Sequence, residues 1–368
     1  MIKTTTTKYE ELSQWIKNRI LDGSFPVGTK IPSENELSVQ FGYSRQTVRQ
    51  AIGTLETQGY LVRSKGSGTY VHRPSRQSRE EVTMRIGVVT TYFDDYIFPG
   101  IIHGIEEVLT NNHYSMCLGI THNKQSDEEN CLKQMLDNGV DGLIVEGTKS
   151  ALPNVNGTLY REIVDKGIPI VFINGYYRDY CDSYVVMDDV LAGELLTDLL
   201  VKKGHKKIGG IFKSDDIQGL KRYEGMQRAA KRNHVIIQDT AVLWYTTEDF
   251  PYLFDGNLDE AILSRLNDVS AIICYNDQTA ASMIKMFSRY SFRIPKDYSI
   301  VSFDNSFLAD DAAYGLTSAI YPSQEIGHKA ASLILKRIQK PDYSEKIVLN
   351  PSIEERSSVL DLTQTNFK

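Results

Sequence analysis

Short apolar runs alternate with helical patterns along most of this chain, and that alternation restricts the fold more than any other feature. The first run, Ile86–Val89, is followed by a helical pattern from about Gly100. Seven further runs predict strands, at residues 116–120, 142–145, 169–173, 207–212, 241–244, 271–274 and 299–303. Short apolar strands separated by helices predict parallel sheets built from βαβ units. About 280 residues are more than one such sheet usually carries, so we expect an α/β body of two lobes.

The composition is typical of a soluble globular protein, with 41% hydrophobic and 24% charged residues. No run approaches the roughly 18 apolar residues of a membrane span, and the N-terminus lacks the basic-then-apolar pattern of a secretory signal. The four cysteines are scattered without a CxxC pair, which favours reduced thiols over a disulfide scaffold or a zinc site. We therefore expect a cytoplasmic protein with no membrane partner.

Charge is distributed unevenly along the chain. Residues 1–74 hold ten basic and six acidic side chains, a net of +4, whereas the remainder carries −10 of the total of −6. A basic head on an acidic body is the layout expected if only the head binds a polyanion. A net charge of this size also occurs in domains that bind no nucleic acid.

Three helical patterns precede the body. Residues 7–10 and 33–36 each have the S/T-x-x-E form of a capping box, which satisfies two free backbone donors at a helix start. Gly42 ends the second helix, and Ser44 caps a third helix only two residues later. Helix, tight glycine turn and helix form the pattern of a helix-turn-helix motif.

The third helix and the segment after it predict a surface that binds DNA. The outward positions near the helix start are Arg45, Gln46, Arg49 and Gln50. In a helix-turn-helix these positions face the major groove, where arginine reads guanine and glutamine reads adenine, although a solvated helix face is the alternative. Residues 60–64 and 69–71 predict a hairpin with a glycine-rich tip, which is either a plain surface hairpin or a wing that approaches DNA. This order predicts a winged helix-turn-helix domain over residues 1–73.

Four segments of the head match a family pattern, namely residues 31–37, 44–51, 59–61 and 66–71. On these segments the head resembles the GntR family of bacterial transcription regulators, and the match spans about residues 8–72. The resemblance implies that Arg45, Thr47, Arg49 and Gly66 contact operator DNA. The full predicted DNA-binding set is Lys8, Ser33, Glu34, Ser44, Arg45, Gln46, Thr47, Arg49, Lys65 and Gly66, with Ser33, Thr47 and Lys65 expected on phosphates.

Residues 74–84 contain few apolar side chains and are expected to form a linker, so that residues 85–368 make up the body. No phosphate-binding loop, dinucleotide-binding glycine loop, nucleophile elbow or HExxH zinc motif occurs there. We therefore expect no enzyme activity, no cofactor and no metal. The alternative is a sugar-modifying α/β enzyme that the head tethers to DNA, since missing motifs do not exclude catalysis.

Seven short segments of the body follow the order of a second family, at residues 141–145, 167–172, 188–193, 204–208, 222–226, 274–277 and 301–304. The body resembles the LacI/GalR regulators and the periplasmic sugar-binding proteins over roughly residues 85–360. This resemblance implies two Rossmann-like lobes, a sugar in the cleft between them, and dimerisation through the same lobes. The short hinge helix of LacI itself is lacking. A GntR-type head on such a body, with VEGTKSALPN at residues 145–154, resembles the arabinose-responsive group of bacterial repressors.

These resemblances imply a repressor of arabinose-utilisation genes that binds operator DNA as a homodimer and is released by a sugar. The predicted sugar contacts are Glu146, Arg222, Asn276 and Asp304, with Tyr92, His122, Asp188 and Tyr245 as neighbours. Asn276 and Asp304 end strands, where open α/β folds bind ligands, although such residues also commonly cap helices. Because Glu146 and Asp304 would repel an anion, we expect a neutral monosaccharide, with L-arabinose as the first choice.

Overall fold

The structure, a computed structural model, describes residues 7–21, 24–57, 59–64, 67–72, 82–93, 97–311 and 315–364. Contacts divide the chain into two compact units, the head, which comprises residues 1–82 and is grouped with residues 165–167, and the body, which comprises residues 83–164 and 168–368. Residues 74–81 of the expected linker lie outside the described residues.

The head contains three helices and a hairpin. The helices are α1 (Lys8–Leu21), α2 (Glu34–Phe41) and α3 (Arg45–Thr57), and the strands are β1 (Leu61–Ser64) and β2 (Gly68–Val71). The capping box expected at α2 is present, because the Ser33 hydroxyl accepts from the Glu36 N–H at 3.3 Å and the Glu36 carboxylate accepts from the Ser33 N–H at 2.7 Å. Gly42 has a φ of +65°, the left-handed conformation that ends α2 and lets α3 begin at once.

Apolar side chains from all three helices form the core of the head. Leu12 and Ile16 of α1, Leu37 of α2, and Val48 and Ile52 of α3 are each at most 1% exposed. Leu12 and Ile16, like Val48 and Ile52, are four residues apart, which puts each pair on one face of its helix. Burial of this face of α3 leaves its opposite, polar face in solvent.

The body contains two six-stranded sheets, each of which forms the centre of one lobe. Lobe 1 has the strand order β13-β7-β6-β5-β3-β4 and is parallel throughout. Its strands are β3 (Arg85–Thr90), β4 (Ser115–Ile120), β5 (Gly142–Glu146), β6 (Ile170–Ile173), β7 (Tyr184–Met187) and β13 (Lys346–Leu349). Lobe 2 has the order β14-β12-β11-β10-β8-β9, and β14 runs antiparallel to β12. Its strands are β8 (Ile208–Lys213), β9 (Val242–Tyr245), β10 (Ala271–Cys274), β11 (Ser299–Asp304), β12 (Thr317–Ile320) and β14 (Ser352–Glu354).

Helices connect and cover these strands. They are α4 (Phe98–Asn111), α5 (Gln125–Asp137), α6 (Gly157–Asp165), α7 (Asp189–Lys202), α8 (Ile217–Arg232), α9 (Phe250–Leu253), α10 (Asp259–Leu266), α11 (Asp277–Arg289), α12 (Phe307–Asp310) and α13 (Ser323–Gln339). The chain crosses between the lobes after β7, after β12 and after β13, so that α13 packs in lobe 1 and α7 in lobe 2. None of the helices in the described part of the chain has the length and apolar character needed to cross a bilayer.

All eight strands expected from apolar runs are present, and β7, β12, β13 and β14 are additional. The expectation of an α/β body with two lobes and a winged helix-turn-helix head is thereby confirmed.

Two glycines in lobe 2 determine where a cavity residue lies. α7 and α8 touch at Gly193 and Gly225, where an added Cβ would collide with the backbone of the facing helix. The absence of a side chain permits this close approach. As a result Arg222 of α8 lies beside Asp189 at the start of α7.

Candidate functional site

A cavity of about 250 Å³ lies between the two lobes, where the carboxyl ends of their strands face each other. Lobe 1 contributes Thr91, Tyr92, Ile97, Phe98 and Glu146, and lobe 2 contributes Lys213, Asp216, Gln218, Arg222, Tyr245, Thr247, Phe250, Pro251, Tyr275, Asn276, Gln278 and Asp304. Six of the eight residues predicted for sugar binding line this cavity, namely Tyr92, Glu146, Arg222, Tyr245, Asn276 and Asp304.

Arg222 is the most buried charged group of the cavity, at 1% exposed. Its Nε donates to Asp189 at 2.9 Å, and its other guanidinium nitrogens donate to the Tyr275 carbonyl at 2.6 Å and to Asp304 at 3.2 Å. Burial disfavours its charge, but the carboxylates of Asp304 and Asp189 outweigh that effect and raise the pKa of Arg222. A guanidinium has five donors in a rigid fork, so donors remain for a ligand after these three bonds.

Two strand ends in lobe 2 place further polar groups at the cavity. Asp304 ends β11 with a φ of +98°, an unusual conformation for a residue with a side chain. Asn276 follows β10 and caps α11, because its Oδ1 accepts from the N–H and the hydroxyl of Thr279 at 2.8 and 2.7 Å. Asn276 therefore caps a helix and also lines the cavity, and its contact with a sugar stays a prediction.

Glu146 is the acidic group that lobe 1 presents to the cavity, and it is 6% exposed. Its carboxylate accepts from the N–H and hydroxyl of Thr91 at 2.7 and 2.6 Å and from the amide of Asn174 at 2.8 Å. Burial raises the pKa of Glu146, and the hydrogen bonds from Thr91 and Asn174 oppose that shift. These bonds hold the carboxylate in a defined position at the end of β5.

Aromatic rings form apolar walls on both sides of the cavity. In lobe 1 the rings of Tyr92 and Phe98 are 6.2 Å apart, and in lobe 2 the rings of Tyr245 and Phe250 are 5.6 Å apart. The Tyr245 hydroxyl is bonded to Thr279 at 2.9 Å. Polar groups and aromatic faces in one small cavity can bind a molecule that has both hydroxyl groups and C–H surfaces.

Two of the predicted contacts lie elsewhere. His122 is exposed in the loop after β4, and its imidazole is 3.7 Å from Asp127 instead of at the cavity. Asp188 caps α7 by accepting from the Leu191 N–H at 2.9 Å. Its neighbour Asp189, which the sequence interpretation passed over, binds Arg222 together with Asp304.

Several cavity residues were not expected from the sequence, among them Thr91, Phe98, Lys213, Asp216, Phe250 and Tyr275. Most of them lie at or just after the end of a predicted strand. A search of every strand end for polar and aromatic residues could have found Thr91, Lys213, Asp216 and Tyr275.

In the head, the polar face of α3 is exposed as expected. Arg45, Gln46 and Arg49 are exposed, and Thr47 is half-buried. The Ser44 hydroxyl accepts from the Thr47 N–H at 3.2 Å and so caps α3. Lys8 places its ammonium 5.6 Å from the ring centre of Tyr43. The predicted contacts Lys65 and Gly66 lie outside the described residues.

Glu34 has partners within the head. One carboxylate oxygen accepts from Arg49 at 3.0 Å, and the other accepts from Arg63 of β1 at 3.1 Å. These two hydrogen bonds join the side chains of Arg49 and Arg63 through Glu34, and the contact of Glu34 with DNA stays a prediction. Ser33 uses its hydroxyl as the cap of α2.

A winged helix-turn-helix with an exposed recognition helix, followed by two α/β lobes around a polar cavity, defines the class of ligand-responsive transcription regulators. Residues 8–71 match the model of bacterial regulatory proteins of the gntR family, and residues 197–359 match that of the periplasmic binding protein-like domain.

The chain is 36% identical to the arabinose metabolism transcriptional repressor of Geobacillus stearothermophilus, over 98% of this chain and 100% of that protein. It is 35% identical to the repressor of the same name from Halalkalibacterium halodurans, over 96% and 97%. The chain belongs to the family of arabinose metabolism transcriptional repressors. Among solved structures, the regulator CelR in complex with cellobiose has the same fold, with a TM-score of 0.67 at 20% identity over 89% of this chain and 100% of that one. The family confirms the prediction of a transcriptional repressor over the alternative of an enzyme.

Proposed function

We propose that the protein represses arabinose-utilisation genes and that a neutral monosaccharide, with L-arabinose as the first candidate, binds in the cavity and lowers operator affinity. The observation that carries this proposal is the pair of Arg222 and Glu146, which two different lobes present to one cavity of about 250 Å³. A cavity of this size suits a ligand smaller than a typical drug molecule. The names of the two relatives support arabinose as the sugar.

The charges around the cavity favour an uncharged polyol. Among its described lining residues, Lys213 and Arg222 are cationic, and Glu146, Asp216 and Asp304 are acidic. These carboxylates would repel an anionic ligand, and the charge of Arg222 is already paired with acidic groups of the protein. A carboxylate accepts from two adjacent hydroxyls and a guanidinium donates to two acceptors, so the set can bind neighbouring hydroxyl groups of a sugar.

The ligand would couple to DNA binding through the arrangement of the lobes. A sugar that contacts Glu146 in lobe 1 and Arg222 in lobe 2 favours the arrangement in which both contacts form. Its effect on operator affinity is limited by the difference between its affinities for the two arrangements.

The head would bind the operator through the exposed face of α3. Arg45 and Arg49 are proposed to reach base edges, and Ser33, Thr47 and Lys65 to contact phosphates. The ion pair with Glu34 supports an ordered position for Arg49 before it meets DNA.

We propose that the functional unit is a homodimer that binds a two-fold related operator. One winged head buries too little surface for tight binding, and a second linked head raises the effective concentration. Trp244 of β9, the outer strand of its sheet, is 40% exposed, and Leu220 of α8 is 38% exposed. These two apolar side chains are our candidates for the dimer contact.

We also propose a division of the chain into a head over residues 1–73, a linker over 74–84 and a body over 85–368. The protein would work in the cytoplasm, where its operator DNA is.

The experiment that tests this proposal measures binding to an operator fragment selected from random DNA, by fluorescence anisotropy. Saturating L-arabinose should weaken binding of the parent protein by at least tenfold. Arg222→Ala should bind the same fragment with near-normal affinity and should lose the response to arabinose, because its guanidinium lines the cavity.

Arg228→Ala is the matched control, since Arg228 lies on the same helix with an exposed side chain paired to Glu224. This variant should respond like the parent. If arabinose leaves the operator affinity of the parent unchanged, the sugar is wrong, and a full response of Arg222→Ala would contradict the site.

A further inference from the structure

The loop after β5 carries a cavity residue and, directly behind it, residues that reach the other lobe. Glu146 ends β5 and lines the cavity. Lys149 and Ser150 follow within four positions and contact lobe 2. The sequence singled out this stretch, and the proposed sugar site uses only its glutamate.

Lys149 forms an ion pair that spans the two lobes. Its ammonium lies 3.2 Å from Asp215, just after β8, and 2.7 Å from Glu248, after β9. The Lys149 side chain is 15% exposed, and that of Asp215 is 1% exposed. Separation of the lobes would take from Asp215 its closest cation and leave the more distant Lys213, at 3.9 Å in lobe 2, so the contact between the lobes is favoured by this ion pair.

The backbone of Lys149 has an unusual conformation, which a hydrogen bond stabilises. Its φ is +46°, in the left-handed region that residues with a Cβ rarely occupy. The Asn123 side chain stabilises this conformation by accepting from the Lys149 N–H at 2.7 Å. The Asn123 amide also donates to Thr247 of lobe 2 at 2.5 Å. An unusual backbone conformation held by such contacts is often associated with function.

Ser150 forms a further contact between the lobes. Its hydroxyl donates to Asp216 at 3.2 Å and accepts from the N–H of Ile217 at 3.1 Å. Ile217 is the first residue of α8, the helix that carries Arg222. The same loop thus presents Glu146 to the cavity and is bonded to the helix that presents the opposing arginine.

We infer that Lys149 and Ser150 form a clasp between the lobes that favours the closed cleft and so sets the affinity for the cavity ligand. A ligand that contacts both lobes and a clasp that joins the same lobes favour one arrangement, so each strengthens the other. In a protein with a weakened clasp, part of the free energy of ligand binding is used to close the lobes. The measured ligand affinity is therefore lower. The identity of the ligand rests on the proposed function, whereas the clasp rests on these contacts alone.

Calorimetry with L-arabinose on the full chain tests the clasp. Lys149→Met should weaken sugar binding about tenfold, because the nearly buried Asp215 loses its closest cation and Glu248 loses its partner, and Ser150→Ala about threefold. Lys149→Arg should restore the affinity to within about twofold. Lys133→Met is the matched control, since this lysine pairs with Glu129 on the same helix of lobe 1. The affinity of this variant for the sugar should equal that of the parent.

The dependence of sugar affinity on salt concentration distinguishes the clasp from a purely structural role of Lys149. Sugar affinity of the parent should fall as sodium chloride is raised, because salt screens the partly exposed pair of Lys149 and Glu248, and Lys149→Met should be less sensitive. Equal sensitivity of parent and variant would contradict the clasp.

Hydrogen exchange tests the clasp without any ligand. In Ser150→Ala the Ile217 N–H loses its acceptor, so peptides that span the start of α8 should exchange faster than in the parent. Unchanged exchange in Ser150→Ala, or unchanged sugar affinity in Lys149→Met, would overturn the inference. If the parent binds no arabinose, the proposed sugar fails, and the exchange experiment still decides the clasp. Lys149→Gly, which suits the left-handed backbone, replaces Lys149→Met if that variant does not fold.

Discussion

At the scale of single residues, the charged groups of the cavity depend on one another. Arg222 neutralises Asp189 and Asp304, and those carboxylates in turn hold its guanidinium in one orientation. Removal of one member of a buried ion pair leaves the other charge uncompensated, at a cost of about 3–5 kcal/mol. Variants of Arg222 are therefore expected to lose stability as well as ligand response, and their operator binding is the check that they remain folded.

Asp277 is another buried carboxylate, and it accepts hydrogen bonds from three serines. It accepts from the hydroxyls of Ser302 at 2.5 Å and Ser318 at 2.8 Å, and from the N–H of Ser306 at 2.7 Å. Burial, and after it the charge of Asp304, raises the pKa of Asp277 to about 6. The folded protein therefore binds this proton more tightly than the unfolded chain, in which the pKa is ordinary.

This shift predicts a pH dependence opposite to that of a paired carboxylate. The contribution of Asp277 is fully present below the unfolded pKa of 3.8 and is lost as the pH rises through the folded value of about 6, by about 3 kcal/mol in total. Asp277→Asn removes this titration. In calorimetric melts of the body between pH 4 and 7, the variant should therefore lose less stability than the parent as the pH rises. The exposed Asp268→Asn should follow the parent, and parallel curves for parent and Asp277→Asn would contradict the shift.

Arg45 provides a prediction for DNA recognition. A bidentate contact between arginine and guanine contributes about 1–3 kcal/mol of discrimination. Arg45→Ala should therefore weaken operator binding at least tenfold in anisotropy measurements while sugar binding stays unchanged. Gln14→Ala, an exposed change on α1, serves as the control. Operator binding equal to the parent at moderate salt would show that Arg45 does not face the groove.

At the scale of elements, α2 shows how a short helix depends on its first residue. α2 has eight residues, and its capping box satisfies backbone donors that a helix of this length cannot satisfy internally. The cap fixes where α2 begins, and Gly42 at the other end stops the helix and turns the chain into α3.

Ser33→Ala should therefore destabilise the head by about 1 kcal/mol, which lowers the melting temperature of so small a domain by roughly 4–8 °C. Ser33→Asp keeps an N-cap acceptor and should retain the melting temperature. The aspartate would also repel a phosphate, so Ser33→Asp should weaken operator binding if Ser33 lies on the DNA backbone. Calorimetry and anisotropy on the same two variants separate capping from DNA contact, and an unchanged melting temperature in Ser33→Ala would contradict the capping role.

At the scale of the whole molecule, the proposed homodimer depends on exposed apolar side chains of lobe 2. The ring of Trp244 lies 5.1 Å from that of Tyr223 and remains 40% exposed on the outer strand of its sheet. An aromatic side chain at such an edge is the kind of group that protein interfaces bury.

Trp244→Glu should convert the dimer to a monomer, because a charge would have to be buried in the contact. Light scattering at high micromolar concentration measures the mass directly. Tyr252→Glu is the control, since Tyr252 is 67% exposed on α9 and should leave the mass of the dimer unchanged. A parent protein that is monomeric at this concentration would contradict the homodimer itself.

Two of the four strands that the sequence did not predict, β12 and β14, share a physical cause, whereas β7 is an apolar run over Tyr184–Met187 that the sequence analysis left out. β12 contains Thr317 and Ser318, and β14 has three residues, so neither forms an apolar run. Strands of this kind are stabilised by pairing with strands distant in sequence, as β14 is with β12 and β13 is with β7. No local pattern reports such pairing.

Local patterns in the sequence determined the head, the alternation of strands and helices in the body, and the residues at most strand ends. These features depend on periodicity and on residues close together along the chain, which a single sequence displays. Only the tertiary structure decided between Asp188 and Asp189 and placed His122 away from the cavity. Consecutive residues at a helix start point in different directions, and the contact of α7 with α8 at Gly193 and Gly225 selects the one that reaches Arg222. The clasp of Lys149 and Ser150 was likewise decided by tertiary structure, because its partners lie more than 60 residues away along the chain and meet it only when the lobes come together.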